Sequence, residues 1–133
     1  MKVLCHGCFD LLHVGHVRHL QAAKAMGDYL VVSITADEFV NKGAGRPLYT
    51  LAERMEMVVA LSCVDEVVAS HYETGFKSIL AVCPNIFCKG VDYQAVALNT
   101  AEEAACRSLG IKIRITNTMK YSTTEVIQKC ASL

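Results

Sequence analysis

The sequence predicts an α/β fold built on one parallel sheet of five strands with helices on both faces. Two patterns carry that reading. Short β-rich runs alternate with helical patterns along the 133 residues, with strands predicted at Val3 to Cys8, Tyr29 to Thr35, Glu66 to Ala69, Asn85 to Lys89 and Ile111 to Thr116. The strands also read as nearly continuous apolar runs, such as Leu30, Val31 and Val32, or Val67 and Val68. A sheet with one face in water would alternate, so these strands are expected to be covered on both sides. Five βα units of this kind make a small doubly wound, Rossmann-like sheet, whose ligands bind outside the carboxyl ends of the strands.

The elements have boundary signals of their own. Thr35 with Glu38, Thr50 with Glu53, Thr100 with Glu103 and Ser122 with Glu125 have the spacing of a capping box, in which two side chains satisfy each other's orphan amides at a helix start. Gly27 and Gly110 stand where helices should stop and strands soon begin, as left-handed C-caps.

The length suits one domain, residues 1–133, and Gly 8 with Pro 2 leaves no linker-like stretch. Lys plus Arg and Asp plus Glu both number 13, so no net field gathers nucleic acid or an anionic membrane. Apolar residues are 53% of the chain and the mean hydropathy is +0.31, yet no apolar run approaches the length of a membrane span. The surplus is expected in the core or in a subunit interface. Seven cysteines, an odd number in apolar contexts, and the absence of a leader pattern from Met1 to Asp10 point to the cytoplasm.

The unusual residues follow the first predicted strand: Gly7, Cys8, Phe9, Asp10, Leu11, Leu12, His13, Val14, Gly15 and His16. Two histidines frame a glycine at a helix start. Gly15 permits close approach of a ligand, the first-turn amides and helix dipole attract an anion, and two imidazoles can donate to phosphate oxygens. The plainer alternative is that His13 and His16 only cap or cover the helix. A zinc site from Cys5, Cys8, His13 and His16 is disfavoured, because structural zinc ligands usually come in pairs a dozen or more residues apart. Cys5 and Cys8 would also point to opposite faces of a strand. A dinucleotide-dependent oxidoreductase is disfavoured because no GxGxxG follows the strand.

The segment Gly7 to His16 resembles the signature of the HxGH nucleotidyltransferase superfamily, in its cytidylyltransferase-like branch of small cytidylyl- and adenylyltransferases. Asn41 to Pro47 (NKGAGRP), Arg54, Lys89 to Tyr93 (KGVDY) and Ser122 to Thr124 (STT) fall in the order of the bacterial heptose 1-phosphate adenylyltransferase domain. Glycerol-3-phosphate cytidylyltransferase is the next most similar. The resemblance implies that the phosphate of a small ester attacks the α-phosphorus of a nucleoside triphosphate and pyrophosphate leaves. Mg2+ is expected to arrive on the nucleotide, with no metal held by the chain itself, and a homodimer is expected.

The same resemblance implies roles for particular residues. His13, His16 and Lys42 would act on the transferring phosphate. Gly7, Cys8, Phe9, Asp10 and Gly15 would surround the nucleotide from the first strand. Lys89, Gly90, Asp92 and Tyr93 would face its base or sugar from the fourth. Ser122, Thr123 and Thr124 would meet its outer phosphates from the last helix, while Arg46 and Arg54 would hold the acceptor or the phosphates. Arg54 reads equally well as a surface arginine of a helix. The loop before Gly43 is shorter than in the heptose enzymes, and Val91 replaces a glycine usual there. Tyr121 and Ser62 stand where the cytidylyltransferase has arginines, which favours AMP transfer from ATP to a heptose 1-phosphate-like acceptor. The alternatives are CMP transfer to glycerol 3-phosphate or another polyol phosphate, and a nucleotide-binding module without catalysis.

Overall fold

The computed structural model describes residues 1–90, 99–117 and 123–133. Along the chain run β1 (Lys2–Gly7), α1 (Val14–Lys24), β2 (Tyr29–Thr35), a 3-10 turn (Asp37–Phe39), α2 (Leu51–Val59) and β3 (Glu66–Ser70). Then come α3 (Phe76–Val82), β4 (Ile86–Lys89), α4 (Thr100–Leu109), β5 (Lys112–Ile115) and α5 (Thr123–Ala131). All five predicted strands form, every pairing is parallel, and the sheet order is β3-β2-β1-β4-β5. The chain moves outward from β1 to β3 and then returns to place β4 on the other side of β1. That reversal opens a crevice between the carboxyl ends of β1 and β4.

Alternate side chains of the central strands enter two separate cores. Val3, Cys5, Leu30, Val32, Ile34 and Cys88 meet Leu20 and Ala23 of α1 and Val58 of α2. Leu4, Val31 and Phe87 meet Ile79 of α3 and Ala105 and Cys106 of α4. This two-sided burial is why the strands carry apolar runs without alternation. Among the described residues no helix is long and apolar enough to cross a membrane.

The boundary signals fare unequally. The Thr50 and Glu53 box forms as predicted: Glu53 N–H donates to Thr50 Oγ1 at 3.2 Å, and Thr50 N–H donates to Glu53 Oε1 at 2.9 Å. Thr35 caps nothing. It ends β2, its hydroxyl donates to Gly7 O at 3.3 Å, and the turn after Ala36 has no side-chain cap. The cap of α4 is Asn99, whose Oδ1 accepts Glu102 N–H at 3.0 Å, so Thr100 is the first helical residue. Asn is the better N-cap of the two, which settles the one-residue shift. Ser122 lies outside the described residues.

Gly110 takes the left-handed C-cap at φ 70°. Gly27 does not, because α1 already ends in a right-handed Ala25. Glycine is required at 27 for space, since a Cβ there would stand 2.4 Å from Met1 O and 2.9 Å from Val3 Cγ2. Cys83 supplies an unforeseen left-handed cap for α3 at φ 47°.

Candidate active site

The site begins where β1 ends. Phe9 turns the chain with φ 51° and folds its ring back over Gly7, where a Cβ would be 2.9 Å from Phe9 Cε2. Gly7 is therefore a glycine because of Phe9. The buried Phe9 ring lies 5.4 Å from the His16 ring, centroid to centroid, and forms a floor beneath it.

His13 is the N-cap of α1, and the two histidines build a capping box from imidazoles. His13 Nδ1 accepts the Gly15 N–H at 3.1 Å, and His16 Nδ1 accepts the His13 N–H at 3.2 Å. Their rings stack at 3.9 Å and 26°. A ring nitrogen that accepts an N–H carries no proton, so these bonds assign the neutral proton of each ring to Nε2. Both histidines are thereby Nε2–H donors at a helix start, the polarity a phosphate needs. Burial, then the charges of His13, His19 and Lys42, lower the His16 pKa to about 3, so His16 works as a neutral donor. Capping and donation are thus compatible, one on each nitrogen. The expectation of free first-turn amides needs correction at Gly15, whose N–H is taken by His13.

Lys42 is exposed on a loop whose Gly43 and Gly45 adopt φ 103° and 77°, values that side chains rarely tolerate. Its charge reaches both His16 and Cys8 as a minor influence beside burial. Burial pushes the Cys8 thiol up despite nearby Arg54, leaving it unsuited to act as a nucleophile.

Two residues expected at the ligand are internal ties instead. Asp10 is 2% exposed and accepts Arg46 Nε–H at 2.8 Å, Leu48 N–H at 2.8 Å and Tyr49 N–H at 3.0 Å. Burial alone would raise its pKa, but these donors hold it below the usual carboxylate value. Arg54 is fully buried, which corrects both the surface and the ligand-contact expectations. It donates to Tyr49 O at 3.0 Å, Cys8 O at 2.8 Å, Thr35 O at 2.7 Å and Asp37 Oδ1 at 2.6 Å. A helix arginine spaced four from buried Val58 was the signal that it faces inward. Arg46, with only 9% of its side chain exposed, leans on Asp10 and borders the site from that tie.

At the end of β4, Lys89 also points elsewhere than expected: its Nζ donates to Glu102 Oε1 of α4 at 2.5 Å. Gly90 follows beside His19, to whose Nδ1 a Cβ would come within 4.0 Å. His19 pairs with Thr116 through Nδ1 and Oγ1 at 2.7 Å. His6 pairs with Ser33 Oγ at 2.7 Å and with Thr35 Oγ1 at 3.4 Å. Burial lowers the His6 pKa to about 4, with the charges of Glu102 and Lys89 acting on it in opposite directions. Sequence reasoning missed His6, His19 and Glu102. Polar residues interrupting the apolar runs, His6 in β1 and Ser33 and Thr35 in β2, were the available signal for the first.

The structure thus brings together Gly7, Phe9, His13, Gly15, His16 and Lys42, and turns Asp10, Arg54 and the Lys89 ammonium away. Asp92, Tyr93 and Ser122 lie outside the described residues; Thr123 and Thr124 open α5, with only their backbone described. Chemically, the assembled group offers neutral N–H donors, a helix N-terminus and a lysine, which suit a phosphoryl group gaining negative charge.

Residues 4–129 match the family model described as cytidylyltransferase-like. The chain is 40% identical over 129 residues to the bifunctional protein HldE of Methylococcus capsulatus, covering 95% of this chain and 27% of that protein. It is 42% identical over 130 residues to the HldE of Hydrogenovibrio crunogenus, again spanning 27% of the relative. Among solved structures, a lipopolysaccharide core biosynthesis protein from Thermoplasma volcanium superposes with a TM-score of 0.74 at 29% identity, covering 92% of this chain and 98% of that one.

Proposed function

The chain belongs to the cytidylyltransferase-like family, and from that premise we propose that it transfers AMP from ATP to a heptose 1-phosphate-like sugar phosphate, releasing pyrophosphate. The observation that carries this reading is the pair of imidazoles at the start of α1, each fixed through Nδ1 so that its proton sits on Nε2. An acceptor phosphate oxygen attacks the α-phosphorus, the bond to the bridging oxygen of the β-phosphate breaks, and pyrophosphate carries off the electron pair. The acceptor is already an oxyanion, so no side chain has to remove a proton. Catalysis then consists of positioning and of stabilising charge.

In this reading His13 and His16 donate to the oxygens on which charge accumulates. Their hydrogen bonds to the backbone set the rings before the substrate arrives, which is what makes such donors effective. Lys42 neutralises charge between the transferring and leaving phosphates. Mg2+ is part of the substrate, carried by the triphosphate, and the buried, fully engaged carboxylate of Asp10 is not a ligand for it. The homodimer is proposed on the family resemblance alone, and the scattered cysteines support a cytoplasmic setting.

The likeness to the HldE proteins and the non-arginine residues Ser62 and Tyr121 support ATP over CTP. The test crosses ATP and CTP with heptose 1-phosphate and glycerol 3-phosphate and measures pyrophosphate. A site that bonds one base edge leaves buried polar groups unmatched by another, so ATP should be preferred by more than about tenfold. Predominant CMP transfer would replace the adenylyl reading with the cytidylyl one. Release from no pair would favour a binding module.

A further inference from the structure

Beside the crevice between β1 and β4 sits a charge pair that the reaction above does not use. Glu102, in the first turn of α4, is 4% exposed and both its oxygens are engaged. Oε1 accepts from Lys89 Nζ at 2.5 Å and Oε2 accepts the Gly75 N–H at 2.7 Å. Gly75 is the residue before α3, and a Cβ there would stand 2.8 Å from Glu102 Oε2 and 3.2 Å from the His6 side chain. One carboxylate therefore ties the end of β4, the start of α3 and its own helix together.

Lys89 is held independently through its backbone. Its carbonyl accepts the Thr116 N–H at 2.9 Å, and the Thr116 hydroxyl meets His19 Nδ1 at 2.7 Å. His19 lies three residues after His16 in α1, on the same side of the helix. A connected line of polar contacts thus runs along the carboxyl rim from the phosphate-binding helix to α3. A buried ion pair is a weak device for stability, because desolvation offsets much of its attraction. Directional contacts to three elements are what this pair provides beyond attraction.

We propose that Glu102 and Lys89 form a positioning pair that sets the carboxyl end of β4 relative to α1 and so shapes the crevice in which the nucleotide lies. Lys89 acts through Glu102 and not by touching the nucleotide. The inference rests on the nucleotidyl-transfer reading. Because the two side chains do one job, losing either should have the same consequence as losing both.

The test is a double-mutant cycle of Glu102→Gln, Lys89→Gln and the double variant in the full chain, with pyrophosphate release, ATP binding and melting temperature measured together. Each single variant should raise the KM and Kd for ATP about fivefold with a smaller change in kcat, and the double should be no worse than the worse single. Thr116→Val, which cuts only the link from His19 to the Lys89 carbonyl, should shift the same constants in the same direction. Multiplying losses in the double would overturn the proposal by showing that Lys89 touches the nucleotide itself. A lowered melting temperature with an unchanged KM would overturn it in favour of a purely structural pair. Wild-type protein that binds ATP but releases no pyrophosphate with any acceptor overturns the transfer reading alone, and the cycle is then read in Kd. Wild-type protein that binds no nucleotide overturns both.

Discussion

The start of α1 and the tie beneath it meet along residues 7–16, the tie joining Asp10 of that stretch and Arg54 of α2, and the two use their polar groups in opposite ways. Beneath, Asp10 and Arg54 direct theirs inward: the carboxylate holds the 46–49 segment, and the guanidinium joins Cys8 O, Thr35 O, Tyr49 O and Asp37. Above, His13 and His16 each accept a backbone N–H at Nδ1, which puts the ring proton on Nε2. The difference teaches how a binding surface is made from charged sequence. Groups whose hydrogen-bonding capacity is used up inside hold the shape, while groups fixed by half of theirs can meet a ligand without reorganising.

The comparison breaks first at Arg54. Arg54→Met should leave three inward-facing carbonyls without their donor and remove the partner of Asp37, lowering stability by about 3 to 5 kcal/mol. Urea denaturation measures it, and a loss below about 1 kcal/mol would show that Arg54 is no tie. On the other side, His16→Ala should cut pyrophosphate release about a hundredfold or more, as losing one preorganised donor costs about 2.7 to 4 kcal/mol of barrier. Its stability should fall only by the worth of a cap, about 0.5 to 2 kcal/mol.

His13→Asn sharpens the contrast, because an Asn oxygen can keep the cap while the Nε2–H donor is lost. Melting temperature should hold while turnover falls with that of His16→Ala; retained turnover would reduce His13 to a cap. A smaller effect is expected for Lys42→Ala, about tenfold in kcat with little change in nucleotide binding or stability, since the exposed lysine gains most of its interaction as charge shifts in the transition state. A change confined to KM would make it a docking charge.

The smallest effect concerns pH. His6 and His16 are held neutral in the fold to about pH 4 and about pH 3, below the ordinary imidazole value of 6.5. Between 6.5 and those values the unfolded chain binds protons that the folded chain refuses, so stability falls as pH is lowered through that window. His6→Asn should make the slope shallower by up to about one proton, whereas Lys42→Ala, which removes only the weakest of the charges acting on His16, should barely alter it. An unchanged slope in His6→Asn would mean that His6 is protonated in the fold.

Much of the fold was legible because burial on both faces leaves a direct trace in composition: Val3 to Cys5, Leu30 to Val32 and Phe87 with Cys88 are apolar in sequence as they are buried in space. The histidine pair was legible for a related reason, since a helix start after β1 is where an anion site forms and Gly15 marks it. Caps were less legible because neighbouring residues compete: Asn99 displaced Thr100, and Thr35 went to Gly7 O. The ties were not legible, since Asp10 meets Leu48, Arg54 meets Cys8, and Glu102 meets Gly75, each across an interval of chain that local spacing does not report.

By itself, then, the sequence determined the five strands, their two-sided burial and the imidazoles at the head of α1, because hydrophobic periodicity and local capping chemistry act between near neighbours. Which charged residues turn inward and which stay in solvent was decided only by the tertiary structure. Arg54, Asp10, Lys89 and Lys42 look alike as charged residues near turns. Three of them are partnered because closing the β1–α1 loop onto the 36–50 segment, and β4 onto α3 and α4, brings buried carbonyls, amides and carboxylates within reach, where an unpaired charge would be most costly. Lys42 stands on a loop that the same closure leaves in solvent.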